Sequence, residues 1–283
     1  MLGREQWNPR VPYLSKAPMP RMRLEKPPVV ERILTLQFLP VPEFDLIHIG
    51  LWGERIRERF PLFSRQPLLS HITESFPFRH EPSRLQFGVG AIPSIPRCVF
   101  AKDGSEYGRL HQLQVDRFAM NWRRDHDHSY MKFDEVSKYF LEFFAEFEEF
   151  CESRNLTRPV LDLCEVIYVN RIGCPKGDLS QRWREVFVGA DLVSASENIL
   201  PNPTFLTHNA VYDFHDTRGR LRIEASAGVH DEQPVIYVKV IGRATMGKEL
   251  NACERLKQSH DWVVDGFQAV TTESIRVNEW GQH

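Results

Sequence analysis

The sequence predicts an α+β fold in which antiparallel sheets, built as two meander-plus-long-helix units, are packed with amphipathic helices. Two stretches carry this prediction: over residues 97–154, and again over 205–270, short alternating strands lead directly into a long helix with one apolar stripe. A third observation is the turn chemistry between the strands, Asp103-Gly104 in the first stretch and Asp216 to Gly219 in the second. The two stretches share negligible identity, so the echo is one of architecture.

Taken in order, residues 1–26 read as a basic, Pro-rich leader. Six of the 19 prolines lie in residues 1–28 with no helical or strand period between them, which predicts an extended arm. Residues 27–283 read as a single two-lobed α+β domain, with lobes of about 27–172 and 173–283, and order is expected to begin near Pro28. Val29 to Phe38 sets Val30, Arg32, Leu34, Leu36 and Phe38 against Val29, Glu31, Ile33, Thr35 and Gln37, a strand that Pro40 ends. Glu43 to Arg59 repeats Leu46, Ile49, Trp52 and Ile56 at threes and fours, a helix stopped at Phe60-Pro61 because the proline ring disfavours helical geometry just before it. Residues 61–83 are Pro-rich and read as a long surface connection, followed by a short strand at Leu85 to Val89.

In the first unit the expected strands are Arg97 to Ala101, Leu110 to Val115 and Arg117 to Arg123. The helix Met131 to Arg154 then lines up Phe133, Val136, Phe140, Phe143, Phe147 and Phe150, with Asp127 or Ser129 as its cap and Asn155 as its stop. Burying each Phe is worth on the order of 1.5–3 kcal/mol. A strand at Val160 to Ile172 and a short helix at Gln181 to Phe187 follow. The second unit has strands at Phe205 to Phe214, Arg220 to Ala227 and Pro234 to Ile241, then a helix from Gly247 to Val270 whose stripe includes Cys253, Leu256, His260, Val263 and Phe267.

Composition excludes several classes. Hydrophobic residues at 42% with 19 Phe support a substantial core. No run approaches the roughly 18–20 apolar residues of a membrane span, and no basic-then-apolar start suggests a signal peptide. Five scattered cysteines without a C-x-x-C pair fit a reduced, cytoplasmic protein better than a zinc site, with Cys151 and Cys253 expected on apolar helix faces. The net charge of −2 divides unevenly: six basic residues against Glu5 and Glu25 give residues 1–28 a charge of +4, which leaves −6 for the rest. A mildly acidic body argues against a broad nucleic-acid surface.

Chemistry is sparse. There is no G-x-S-x-G and no glycine-rich phosphate loop, so no catalytic residue and no cofactor is predicted. His126 and His128 alternate with Asp125 and Asp127 and are weak metal candidates, since two histidines on one side of an extended segment make an incomplete site. Arg218, Arg220 and Arg222 form a small basic hairpin patch that, with Arg21 and Arg23 of the leader, is the nucleic-acid candidate. Tyr168, Asn170, Arg171, His260 and Trp280 are the ligand or partner candidates: Tyr168 and Asn170 share one face of a strand, Arg171 ends it, His260 lies in the last long helix, and an unpacked terminal Trp would be an apolar liability.

Val166-Ile167-Tyr168-Val169-Asn170-Arg171-Ile172 is one of several ordered motifs. With Pro27-Pro28-Val29-Val30-Glu31, Phe60-Pro61, and His260-x-Trp262-Val263-x-x-x-Phe267 leading to Thr271-Thr272 and Trp280-Gly281, the chain resembles a sporadically distributed bacterial family of proteins of about this length. The likeness covers roughly residues 27–283, while the longer leader and the run Asp125 to His128 depart from it. The resemblance implies a bacterial cytoplasmic protein of a family with no established activity, in a mobile or defence-related gene context. The leading functional expectation is a non-enzymatic binding or regulatory module, as a homo-oligomer or with a protein partner. The alternatives are a hydrolase or transferase acting on a small or nucleotide-like ligand between the lobes, and a nucleic-acid-binding protein.

Overall fold

A computed structural model describes residues 22–78, 95–102, 108–124, 131–174, 178–190, 203, 205–214, 217–247 and 250–283. Its centre is one nine-stranded antiparallel sheet. In chain order the strands are β1 (Val29–Phe38), β2 (Leu62–Gln66), β3 (Arg97–Ala101), β4 (Gly108–Gln114), β5 (Arg117–Arg123), β6 (Leu161–Gly173), β7 (Thr207–Phe214), β8 (Gly219–His230) and β9 (Gln233–Thr245). The helices are α1 (Leu46–Ile56), α2 (Phe133–Ser153), α3 (Leu179–Val186), α4 (Ala252–Val270) and α5 (Glu273–Asn278).

The spatial order β2-β3-β4-β5-β1-β6-β9-β8-β7 puts β1 and β6 together near the centre, and a meander runs outward from each. The two meander-plus-helix units therefore contribute to a single sheet, joined where β6 pairs with β9 from Leu163↔Thr245 to Gly173↔Val235. The expected strand at Leu85 to Val89 lies outside the described residues. The turn between β8 and β9 needs two positive-φ residues, supplied by Asp231 (φ 47) and Glu232 (φ 61), the geometry that matches the twist of a tight hairpin.

Strand alternation sends Leu34, Leu36 and Phe38 to one face, beside Met120 and Phe118 of β5 and Val166 and Cys164 of β6. The α2 stripe Phe140, Phe143, Phe147 and Phe150 covers this face and encloses Trp52 of α1, whose ring lies 5.3–5.5 Å from Phe143, Phe147 and Phe150. Lys132 occupies the N-cap position of α2, and its amide donates to Glu135 at 3.3 Å, so the helix starts later than a cap at Asp127 or Ser129 would require. Asn155, with φ 54, takes the left-handed conformation that ends a helix.

Helix α4, capped by Asn251 with Glu254 reaching back to the Asn251 amide, packs on β9, β6 and β8 through Leu256, Val263 and Phe267. Cys151 is buried as expected, but Cys253 is exposed, because it sits in the first turn of α4 ahead of Leu256, the first buried apolar residue of that helix. The helix comes so close to β9 that a Cβ on Gly242 would lie 2.3 Å from the Ser259 carbonyl oxygen. Gly242→Ala is expected to cost about 1–3 kcal/mol, because backbone must move to admit the methyl group. Gly173, with nothing within 4 Å of its Cβ position, is the control. Urea unfolding of both variants checks the difference.

At the chain ends, Leu24 bridges to Gln282, and the Lys26 amide donates to the Trp280 carbonyl at 3.0 Å. Regular pairing thus starts a few residues before Pro28, because the C-terminal tail gives residues 24–26 a partner. No helix among the described residues is long and apolar enough to cross a membrane.

Candidate functional site

Among the described residues the helices α2 and α4 both pack on the apolar face, and the opposite face of the sheet is polar. Gln114, Arg117 and Gln37 are cross-strand partners over β4, β5 and β1, and Glu165, Arg243, Arg220 and Asp213 over β6, β9, β8 and β7, the two rows meeting with Glu165 two residues along β6 from Leu163, the partner of Gln37. Residues 67–78 lie across these rows as a strap. Leu69 meets β4 and Phe78 meets β7, six strand intervals apart, or about 29 Å at the usual interstrand spacing. Nine residues reach about 30 Å when extended, so the strap is long enough to cross these strands, with a bend at Phe76 and Pro77.

The sheet holds the strap by side chains acting on its main chain. The Gln114 amide accepts from the Leu69 N–H at 3.2 Å and donates to the Leu69 carbonyl at 3.0 Å. Gln37 does the same to Ile72, at 2.8 Å in both directions. Arg117 donates to the Ser70 carbonyl (3.0 Å), Arg220 to the Ser75 carbonyl (2.7 Å), and Asp213 accepts from the Phe78 amide (2.6 Å). Buried main-chain groups require partners, and these side chains provide what a neighbouring strand would otherwise supply.

Within the strap, Ile72, Glu74, Phe76 and Phe78 are half-buried while Thr73, Ser75 and Pro77 are exposed, the period of two of an extended chain. The Glu74 carboxylate, 3% exposed, sits between Arg220 and Arg243. Arg220 also pairs with Asp213 at 2.8 Å, and Arg243 with Glu165 at 2.5 Å, so five charges of alternating sign run across the sheet. Burial works against the Arg243 guanidinium, but the Glu165 and Glu74 carboxylates outweigh it and hold its pKa above the ordinary arginine value. Arg220 lies over the rings of Phe76 and Phe78, 5.0 and 4.8 Å from their centroids. His71 bridges Asp116 through Nδ1 (2.7 Å) and Asp162 through Nε2 (2.9 Å).

The residues nominated from sequence fall into separate places. Tyr168 and His260 do meet: the phenol oxygen is 2.9 Å from Nδ1, His260 stacks on Phe133 at 3.9 Å and 4°, and the Arg32 guanidinium lies 4.6 Å over the Tyr168 ring. That cluster belongs to the helix-covered face, where the start of α2 meets α4. Asn170 shares the face and donates to the Val238 carbonyl, tying β6 to β9. Arg171, one residue on, points to the opposite face and meets His230 of β8. Trp280 stacks on Phe267 at 5.3 Å and holds the C-terminal tail.

Of the nucleic-acid candidates, Arg218 and Arg23 are exposed, Arg222 lies 5.6 Å over the Phe78 ring, and Arg220 is spent on the buried ion pairs. The expected patch of three arginines on one wet hairpin is thereby corrected, because the strap covers the face that alternation alone would leave to solvent. Arg21, His126 and His128 lie outside the described residues. Among the described residues no group of three His, Cys, Asp or Glu is placed to hold a metal ion. Burial pushes the Cys151 and Cys164 thiols up to about 12, which leaves them poor nucleophiles.

The strap and its anchors were not found from sequence, although the alternation of Ile72, Glu74, Phe76 and Phe78 was a usable signal. Tyr168→Phe is expected to cost about 1 kcal/mol by losing the bond to His260 while the fold persists. Urea unfolding checks this. Compared with protein-family models, with curated proteins and with solved structures, the chain matches none.

Proposed function

We propose that the protein is a non-enzymatic binding or regulatory module that recognises extended polypeptide on the face of its sheet opposite α2 and α4. The observation that carries this reading is the strap: an extended segment held across seven strands by side chains that grip its main chain. Gln37 and Gln114 bond to backbone amides, a mode of recognition that tolerates many sequences, while the arginine pair selects a carboxylate. The resemblance noted in the sequence adds a bacterial cytoplasmic setting to the proposal, and a homo-oligomer or a protein partner to the arrangement.

The enzyme alternative draws less support, since Tyr168 with His260 and Arg171 with His230 lie on opposite faces of the sheet. The nucleic-acid alternative loses Arg220 to internal ion pairs. An array of short synthetic peptides probed with the full chain tests the proposal, with light scattering to report assembly. Retention of a subset of peptides is the expected result. Failure to retain any peptide, together with turnover of chromogenic ester or phosphate substrates, would overturn it in favour of an enzyme, as would salt-sensitive retention of single-stranded DNA alone in favour of nucleic-acid binding.

A further inference from the structure

Resting on that reading, we propose that residues 67–78 are a resident occupant of the recognition face, displaced by an extended segment of a partner protein that carries a carboxylate followed by aromatic residues two and four positions on. The strap itself defines this pattern. Glu74, Phe76 and Phe78 sit at i, i+2 and i+4 on the inward side of the extended chain, and one side chain, Arg220, meets all three. The carboxylate receives Arg220 and Arg243, and the two rings lie under the Arg220 guanidinium.

Three features make this occupant replaceable. First, side chains of the sheet grip its main chain at Leu69, Ser70, Ile72, Ser75 and Phe78. Any extended chain offers the same groups to Gln37, Gln114 and Arg117. Second, its departure leaves both arginines paired, because Arg220 keeps Asp213 and Arg243 keeps Glu165, while Asp116 and Asp162 lose His71 but keep hydrogen bonds from Gln114 and Gln37. Third, its leading anchor is weak: β2, which runs directly into it, is an edge strand with all five residues exposed, and Leu68 and Leu69 are exposed as well. Segments with few buried apolar contacts open locally, well below the free energy of global unfolding.

A tethered occupant competes at an effective concentration of order millimolar, so a free peptide meets a largely closed site in the wild-type chain. Weakening the strap should open it. The experiment compares the full wild-type chain with Glu74→Ala, using a fluorescein-labelled synthetic peptide of sequence Pro67 to Phe78. Glu74→Ala is expected to bind this peptide at least tenfold more tightly than wild type, and replacing the glutamate of the peptide by alanine should abolish the gain. Equal affinities, or a gain indifferent to that glutamate, would overturn the inference. Strap exchange between two copies would overturn it too, and would show as a Glu74→Ala dimer in light scattering.

Should Glu74→Ala fail to fold, hydrogen exchange on the wild type decides. Amides of Leu69, Ile72 and Phe78 that exchange at least a hundredfold faster than those of β6 support a displaceable strap, whereas exchange only with global unfolding excludes it. If Glu74→Ala ignores the strap peptide but still retains other peptides on the array, only this inference falls. If it retains none, the binding-module reading falls with it.

Discussion

Replacing Arg220 by alanine is expected to lower the free energy of unfolding by about 3–5 kcal/mol, the range seen when one member of a buried ion pair is removed. The guanidinium is 4% exposed and serves Asp213, Glu74 and the Ser75 carbonyl at once. Alanine would leave the Asp213 carboxylate, 12% exposed, without its cation and the Glu74 carboxylate, 3% exposed, with Arg243 alone, and desolvated carboxylates are costly when their charge is under-compensated. It would also uncover Phe76 and Phe78. Arg218→Ala, on the same hairpin but exposed, is expected to change stability by no more than about 0.5 kcal/mol. Urea unfolding of the two variants gives the contrast. Similar small losses in both would mean that Arg220 is a surface residue, as a nucleic-acid role for the hairpin would require.

The contrast between Arg218 and Arg220 shows where sequence reasoning reached its limit. Alternation along β8 correctly separates Leu221, Ile223 and Ala225 from Arg220, Arg222 and Glu224, because successive side chains on a strand must face opposite ways. Alternation does not say what covers the second face. The cover is residues 67–78, and Pro67 and Pro77 mask their period of two in a stretch that reads as a surface connection. The long periodic elements were legible for a related reason: β1, β6, α2 and α4 each bury a full stripe, and their patterns extend over enough residues to define both type and face. Strand neighbours were not legible, since the β6–β9 pairing that merges the two units depends on contacts far apart in sequence. Tyr168 and His260 were nominated separately and do meet, but Arg171 leaves for the other face because it is an odd number of residues from Tyr168. The turn at Asp231-Glu232 carries no glycine to announce its positive φ angles.

Acid should destabilise this protein through one buried histidine. His111 is fully buried between Phe118 and Phe143, accepts from the Trp52 indole N–H at Nε2 (3.0 Å), and donates from Nδ1 to the Ala119 carbonyl (3.1 Å). With one nitrogen accepting and the other donating, the ring must be neutral, and burial depresses its pKa from 6.5 to about 3, with the Ala119 bond opposing. The sign follows from proton binding. Between pH 6.5 and about 3 the unfolded chain takes up a proton at this residue and the folded chain does not, so the contribution is whole above pH 6.5 and shrinks as pH falls. At pH 4.5 the loss from this residue amounts to about 2–3 kcal/mol, at 1.36 kcal/mol per pH unit. His111→Gln keeps a donor and an acceptor but cannot titrate, so its stability should fall less between pH 7 and 4.5 than that of the wild type, by about the same 2–3 kcal/mol. Parallel urea titrations at the two pH values measure it. An identical pH dependence in both proteins would mean that His111 takes up its proton in the folded state, which the Trp52 hydrogen bond forbids without repacking the aromatic core around it.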